Sequence, residues 1–194
     1  RRARNDLELA FWSRTVPQLT QSVPSVRAAV EAFGATYEEY VLRGGAPFSG
    51  LETTKRYTQA LRLVQQDLAT MQHGPIPCIT ACLFLAAVEA LQQRLDKGHL
   101  HLLGALTLMV SHMDKKLLAD VDIDIDDVSL LLQKLDLHVA TYAVSQPPHL
   151  PPSPSITKDV IMSDPPDRAL IKILHSCYHF TAQAFPYKYT SRRL

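Results

Sequence analysis

The chain is predicted to be all-α, an antiparallel bundle of about six or seven helices built around a central helical hairpin. Three observations predict it. Between Ile76 and Leu118, apolar residues recur at three- and four-residue steps: Ile79, Leu83, Ala86, Ala87, Ala90 and Leu91 in one stretch, then Leu102, Ala105, Leu106, Met109, Val110 and Met113 in the next. Both stretches also carry Leu85, Leu103 or Leu108 on other sides, which a helix with one wet face would not tolerate, so the hairpin belongs at the centre. The flanking segments repeat the helical spacing and are punctuated by short Gly/Pro breaks.

Taken in order, Asn5 or Asp6 is expected to cap a first helix carrying Leu7, Leu9, Ala10, Phe11 and Trp12. Helix continues from Ser13 to Thr20, with a bend or fresh start at Pro17. After the break at Ser22-Val23-Pro24-Ser25, where either serine can cap, Val26, Ala29, Val30, Phe33, Tyr37, Tyr40 and Val41 form the next stripe. That helix stops at Gly44-Gly45-Ala46-Pro47. Leu51 to Met71 gives another, with Tyr57, Leu61, Val64 and Leu68 inward, and His73-Gly74-Pro75 turns the chain into the hairpin: Ile79–Gln93, a break at Leu95–Gly98, then His99–Leu118.

Asp120–Asp127 alternates like an edge strand but is read as a linker leading into a helix over Leu130–Tyr142, with Asp126 or Asp127 as its cap. Residues 147–166 contain seven prolines, too many for a regular element, and form an extended loop. A last helix runs from Pro166 to about Phe185, with Ala169, Leu170, Ile173, Leu174, Cys177, Phe180 and Thr181 inward.

At 194 residues the chain fits a single domain, 1–194, with a sizeable core. Twenty Lys and Arg face 19 Asp and Glu, a net charge of +1, so no global field points to nucleic acid or to an anionic membrane. Three cysteines, Cys78, Cys82 and Cys177, form no disulfide framework and suit a reducing compartment. The apolar run over 79–91 is too short to span a bilayer. The start, Arg1-Arg2-Ala3-Arg4, has neither an initiator Met nor a signal-peptide core and reads as a cut from a longer polypeptide.

No site motif stands out. His99 and His101 are two residues apart and diverge on a helix. His175 and His179, one turn apart, can reach one ion, but nothing resembling HExxH completes a site, so neither metal nor cofactor is expected. The aspartate run lacks the turn glycine and closing glutamate of a calcium loop. Asp136, inside an apolar helix, is expected to cap a neighbouring helix or pair with a core arginine. If the chain is an enzyme, the titratable groups to inspect are His73, His101, Glu89, Asp136, His175 and His179.

Several segments taken together resemble the regulatory (middle homology) region of fungal binuclear zinc-cluster transcription factors. They are Phe11-Trp12, Pro24, Val26-Arg27, Ala32, Gly34-Ala35 and Glu38, then Tyr57 and Ala60, then Glu89, Leu91-Gln92, Asp96, His101, Gly104 and Leu108, and finally Leu135-Asp136-Leu137. Their order and spacing hold from about residue 10 to residue 142. Two positions depart from the pattern: Gln93 stands where glycine is common, and Gly98 replaces a small helical residue, which should loosen the turn over 94–98. The six-cysteine DNA-binding module is absent from these residues, so the chain is not itself a DNA reader.

The resemblance implies a regulatory domain that acts by binding a small-molecule effector, docking a partner protein or forming a homodimer. It would sit in the nucleus as part of a transcription factor, or in the cytoplasm as a stand-alone protein. The alternative is a cofactor-free enzyme of fungal secondary metabolism on the same scaffold, catalysing cyclisation, rearrangement or proton transfer.

Overall fold

A computed structural model describes residues 11–45, 50–112, 125–142, 148–152 and 166–184. The chain is all-α. The described residues form a π-helical turn at Phe11–Thr15 and seven α-helices: α1 (Val16–Ser22), α2 (Pro24–Leu42), α3 (Leu51–Thr70), α4 (Pro75–Leu91), α5 (Leu95–His112), α6 (Ile125–Tyr142) and α7 (Pro166–Ala184). The expected helix after Asn5, the hairpin residues beyond His112, the side chains of Asp126 and Asp127, and most of the proline-rich loop lie outside the described residues. Where one domain was expected, the contacts group the chain into two compact units: Trp12–Asp122, and Ile123–Leu194 with Arg1–Phe11.

In the first unit α1, α2 and α4 open on proline. Pro17, Pro24 and Pro75 each sit in the first turn, where the missing N–H is no loss and the fixed φ suits the helix. The expected serine cap is not made, because the cap position of α2 is the extended Val23, which has no side-chain acceptor. Ser22 Oγ donates instead to Gln18 O at 2.9 Å, and Ser25 Oγ to the Asp67 carboxylate of α3.

Helix α4 is the centre of this unit. Every residue from Pro75 to Leu85 is buried, as are Val88 and Glu89. It packs against α2, α3 and α5. Those neighbours turn mainly small faces to the core: Ser25, Val26, Ala28, Ala29, Ala32 and Thr36 from α2, and Thr53, Ala60 and Val64 from α3. From α5 come Gly98, Leu102, Ala105, Leu106 and Met109.

The stripes expected on α2 and α3 are thus rotated. Tyr37, Val41 and Leu68 are exposed, and Tyr57 and Leu61 sit half-buried at the rim. Alanines let backbones approach α4 closely, while larger rings are pushed to the edge, where Phe33 tilts against Phe84 at 5.6 Å and Trp12 meets the same ring edge-on at 5.8 Å. On α4 itself Ala90 is exposed, and on α5 Val110 is too.

Helices α2 and α4 end alike. Past α2, Gly44 takes φ +65°, with Gly45 N–H bonded to Tyr40 O at 2.9 Å and Gly44 N–H to Val41 O at 3.0 Å. Past α4, Gln93 takes φ +57°, with Arg94 N–H on Glu89 O at 2.8 Å and Gln93 N–H on Ala90 O at 3.0 Å. Both are Schellman closures, which favour glycine at the left-handed position. Gly98, expected to loosen this turn, instead allows close approach: a Cβ there would lie 3.1 Å from Ala86 O and 3.5 Å from Glu89 Cβ.

In the second unit α6 packs on α7. Helix α6 buries Val128, Leu130, Leu131, Leu132, Leu137 and Ala140 together with Asp136. The inward face expected of α7 is corrected: Leu170, Leu174, Cys177 and Phe180 are exposed, whereas Ala169 and His175 are buried. The contacts of His175 described below fix that rotation.

Two substitutions test this account. Replacing Gln93 with glycine relieves the left-handed backbone and should stabilise the chain by about 0.5–1 kcal/mol. Gly98→Leu, whose side chain would drive against the Ala86 carbonyl, should cost about 2 kcal/mol. Urea unfolding followed by far-ultraviolet circular dichroism reads both, and an unchanged midpoint in Gly98→Leu contradicts the close approach.

Candidate functional site

Two polar clusters are built into the units, one in each. In the first unit α3 contributes Tyr57, the last turn of α4 Glu89, the following turn Gln92 and Arg94, and α5 His101. Glu89 is 1% exposed, and its carboxylate accepts from Arg94, which also donates to Gln92 Oε1. The Arg94 guanidinium lies 6.0 Å from the centroid of the Tyr57 ring.

Tyr57 Oη and His101 Nε2 are 2.8 Å apart. Burial, then the hydrogen bond to Glu89, pushes the Tyr57 phenol well above its ordinary range. Which of the two atoms donates is set by the His101 tautomer. Burial lowers the His101 pKa, partly opposed by the Glu89 charge. The half-buried imidazole and phenol thus flank an ion pair between the buried Glu89 and the half-buried Arg94, whose guanidinium faces the Tyr57 ring.

In the second unit Asp136 of α6 is completely buried and accepts three hydrogen bonds. His149 N–H donates to Oδ1 at 2.9 Å, Leu150 N–H to Oδ2 at 2.8 Å, and His175 Nε2 of α7 lies 3.1 Å from Oδ2. His149 Nδ1 stands 3.4 Å from Oδ1. Burial opposes ionisation of Asp136, but these bonds outweigh it and hold the carboxyl below its usual range. One turn along α7, His179 Nε2 donates to Leu150 O at 2.5 Å, and its ring centroid is 4.9 Å from that of His175. Burial lowers the His179 pKa; the Leu150 bond and Asp136 oppose this, and the neighbouring His175 adds to it.

The six residues singled out from sequence therefore divide. Glu89 and His101 share the first cluster, and Asp136, His175 and His179 share the second. His73 joins neither: it sits near the end of α3 with Nδ1 3.9 Å from Asp67 Oδ1. Asp136 departs from expectation, since its partners are a histidine and two loop amides rather than an arginine or a helix end. Tyr57, Arg94 and His149 were not legible as site residues. Tyr57 reads as one more apolar position, and the only hint of His149 is its place between two proline pairs.

His175 and His179 each direct Nε2 to a protein partner, and among the described residues no three His, Cys, Asp or Glu side chains are grouped to hold a metal. Burial pushes the thiols of Cys78 and Cys82 up to about 11 and about 12, which keeps both protonated and unreactive at neutral pH.

Between α2 and α4 an open groove of about 430 Å³ is lined by Phe33, Tyr40, Ala87, Ala90, Leu91 and Gln93. No helix among the described residues is long and apolar enough to cross a membrane. Comparison with known protein families, with curated proteins and with solved structures finds no match to the chain.

The clusters set the pH dependence of stability. Because folding lowers the pKa of His101 and His179 from 6.5, the unfolded chain binds more protons below about that pH, and stability falls as acid is added. Asp136, lowered from 3.8, contributes stability above that value and loses it as pH drops through its folded pKa. Urea midpoints measured across this range should fall in two stages, and His179→Gln should shrink the first; a midpoint that rises on acidification below about pH 6.5 overturns the assignment. Asp136→Ala leaves two loop amides and His175 without their acceptor and should cost about 3 kcal/mol at neutral pH in the same assay.

Proposed function

We propose that the chain is a regulatory domain of the fungal binuclear zinc-cluster transcription-factor type, acting by effector binding, partner docking or homodimerisation and not itself contacting DNA. The observation that carries this reading is where the resemblance residues fall. Tyr57, Glu89, Gln92 and His101, quoted from two separate segments, lie with Arg94 in one polar cluster around the buried Glu89. Val26, Ala32, Ala60 and Asp136 from the same pattern are completely buried. Pattern residues that fall at buried positions, three in the first unit and Asp136 in the second, support a shared helical scaffold.

The groove between α2 and α4 suits the regulatory role. It has an aromatic wall in Phe33 and Tyr40, a floor of small residues in Ala87 and Ala90, and one amide in Gln93. A ligand seated there would contact both helices and bias their separation, which is the differential contact that regulation by population shift needs. On this reading the domain works in the nucleus, downstream of a zinc-cluster module in the same polypeptide. The enzyme alternative requires acid and base groups that face a substrate. Glu89, Asp136 and His175 are instead buried and engaged with protein partners.

Native mass spectrometry of the purified chain, followed by incubation of whatever it retains, tests the assignment. A small molecule retained and returned unchanged, or a stable dimer without one, is the expected outcome. Chemical turnover of the retained molecule over many cycles overturns the regulatory reading, as would a transcript whose reading frame encodes no six-cysteine segment upstream.

A further inference from the structure

We infer that the cleft between α6 and α7 is a peptide-docking site, held in this chain by its own segment Pro148–Pro152 and able to accept an extended partner peptide with a basic residue followed by leucine and proline. This inference is independent of the regulatory assignment. The cleft grips the segment through its main chain. Both oxygens of Asp136 take the successive N–H groups of His149 and Leu150, and His179 takes the Leu150 carbonyl. Leu150 provides the anchor, with 2% of its surface exposed, while Pro151 and Pro152 remain exposed. Main-chain bonds with one apolar anchor are how extended peptides are read by a partner.

The same geometry states which peptides fit. The two donated N–H groups exclude proline at the positions of His149 and Leu150. No such bond engages the next residue, so proline is accepted there. The His149 ring, 3.4 Å from Asp136 Oδ1, favours a cationic side chain before the leucine. Flanking prolines hold a free peptide extended, so it loses less entropy on docking.

Asp136 supplies the reason the cleft is kept filled. Without a peptide this buried carboxylate would retain only His175 among the partners described above, so any occupant must bring two adjacent N–H groups. Exchange of one segment for another leaves that count unchanged. The tethered segment competes at a high effective concentration, so a partner peptide gains access when it exceeds that concentration, binds more tightly or meets a weakened tether.

A fluorescent peptide spanning residues 146–153 provides the test, titrated against the full chain and against its Leu150→Gly variant. The variant, its anchor removed, should bind the peptide about tenfold or more tightly than the wild-type chain. Peptides carrying His149→Pro or Leu150→Ala should lose that binding. In the wild-type chain the amides of His149 and Leu150 should be protected from hydrogen exchange, and excess peptide should reduce that protection. The exchange measurement decides the matter by itself if circular dichroism shows the variant unfolded. No binding to a folded variant, equal binding of the proline-substituted peptide, or protection unaffected by excess peptide each overturns the proposal.

Discussion

A helix with apolar side chains on every face has to be surrounded, and that requirement governs the unit from Trp12 to Asp122. Helix α4 has no side left for water over its first three turns, so α2, α3 and α5 must each cover part of it. Close cover favours small residues on the covering helices, which is why α2 presents Ala28, Ala29 and Ala32 rather than its tyrosines. Gly98 serves the same end where α5 begins, since a larger residue would meet the Ala86 carbonyl. The aromatic rings displaced from the interface line its edge, where Phe33 and Tyr40 form one wall of the open groove.

Buried charge is the second constraint. Each unit contains a carboxylate almost or wholly removed from water, and each is held by a short list of donors. Glu89 draws Arg94 back over the turn that joins α4 to α5, where the guanidinium faces the Tyr57 ring beside His101. Asp136 fixes two residues of a proline-rich loop and one rotation of α7. Such pairs add little net stability compared with apolar packing, but a wrong register leaves the charge without partners. They therefore act as locks on geometry: one on the α4–α5 turn, one on the seating of the loop.

The outline of the helices was legible before any coordinates. Helical periodicity in α3, α4 and α5, the glycine pair after α2 and the return to helix after the aspartate run are local signals. Three helices nevertheless start earlier than expected: α4 at Pro75, α5 at Leu95 inside the expected break, and α6 at Ile125, which puts Asp126 and Asp127 within the helix rather than at its cap. The inward faces were less legible. On α7 an apolar stripe of Leu170, Leu174 and Cys177 looked like the core, yet His175 takes the buried place. Hydrophobicity ranks side chains by their cost in water, and it is silent about a polar residue whose partner lies on another element. Serine capping was overestimated because the cap position of α2 falls on Val23, so Ser22 precedes it and Ser25 already lies inside the helix.

Sequence by itself determined the all-α class, the number and approximate bounds of the helices in the described residues, and the need to bury the 76–91 segment. These follow from spacing within a few residues, where chain connectivity already fixes which side chains share a face. Tertiary structure alone decided which polar groups meet. Tyr57 and His101 are 44 residues apart and Asp136 and His175 are 39, so no local period links them. A hydrogen bond requires two groups within about 3 Å, and over such separations only the packing of whole helices sets that distance.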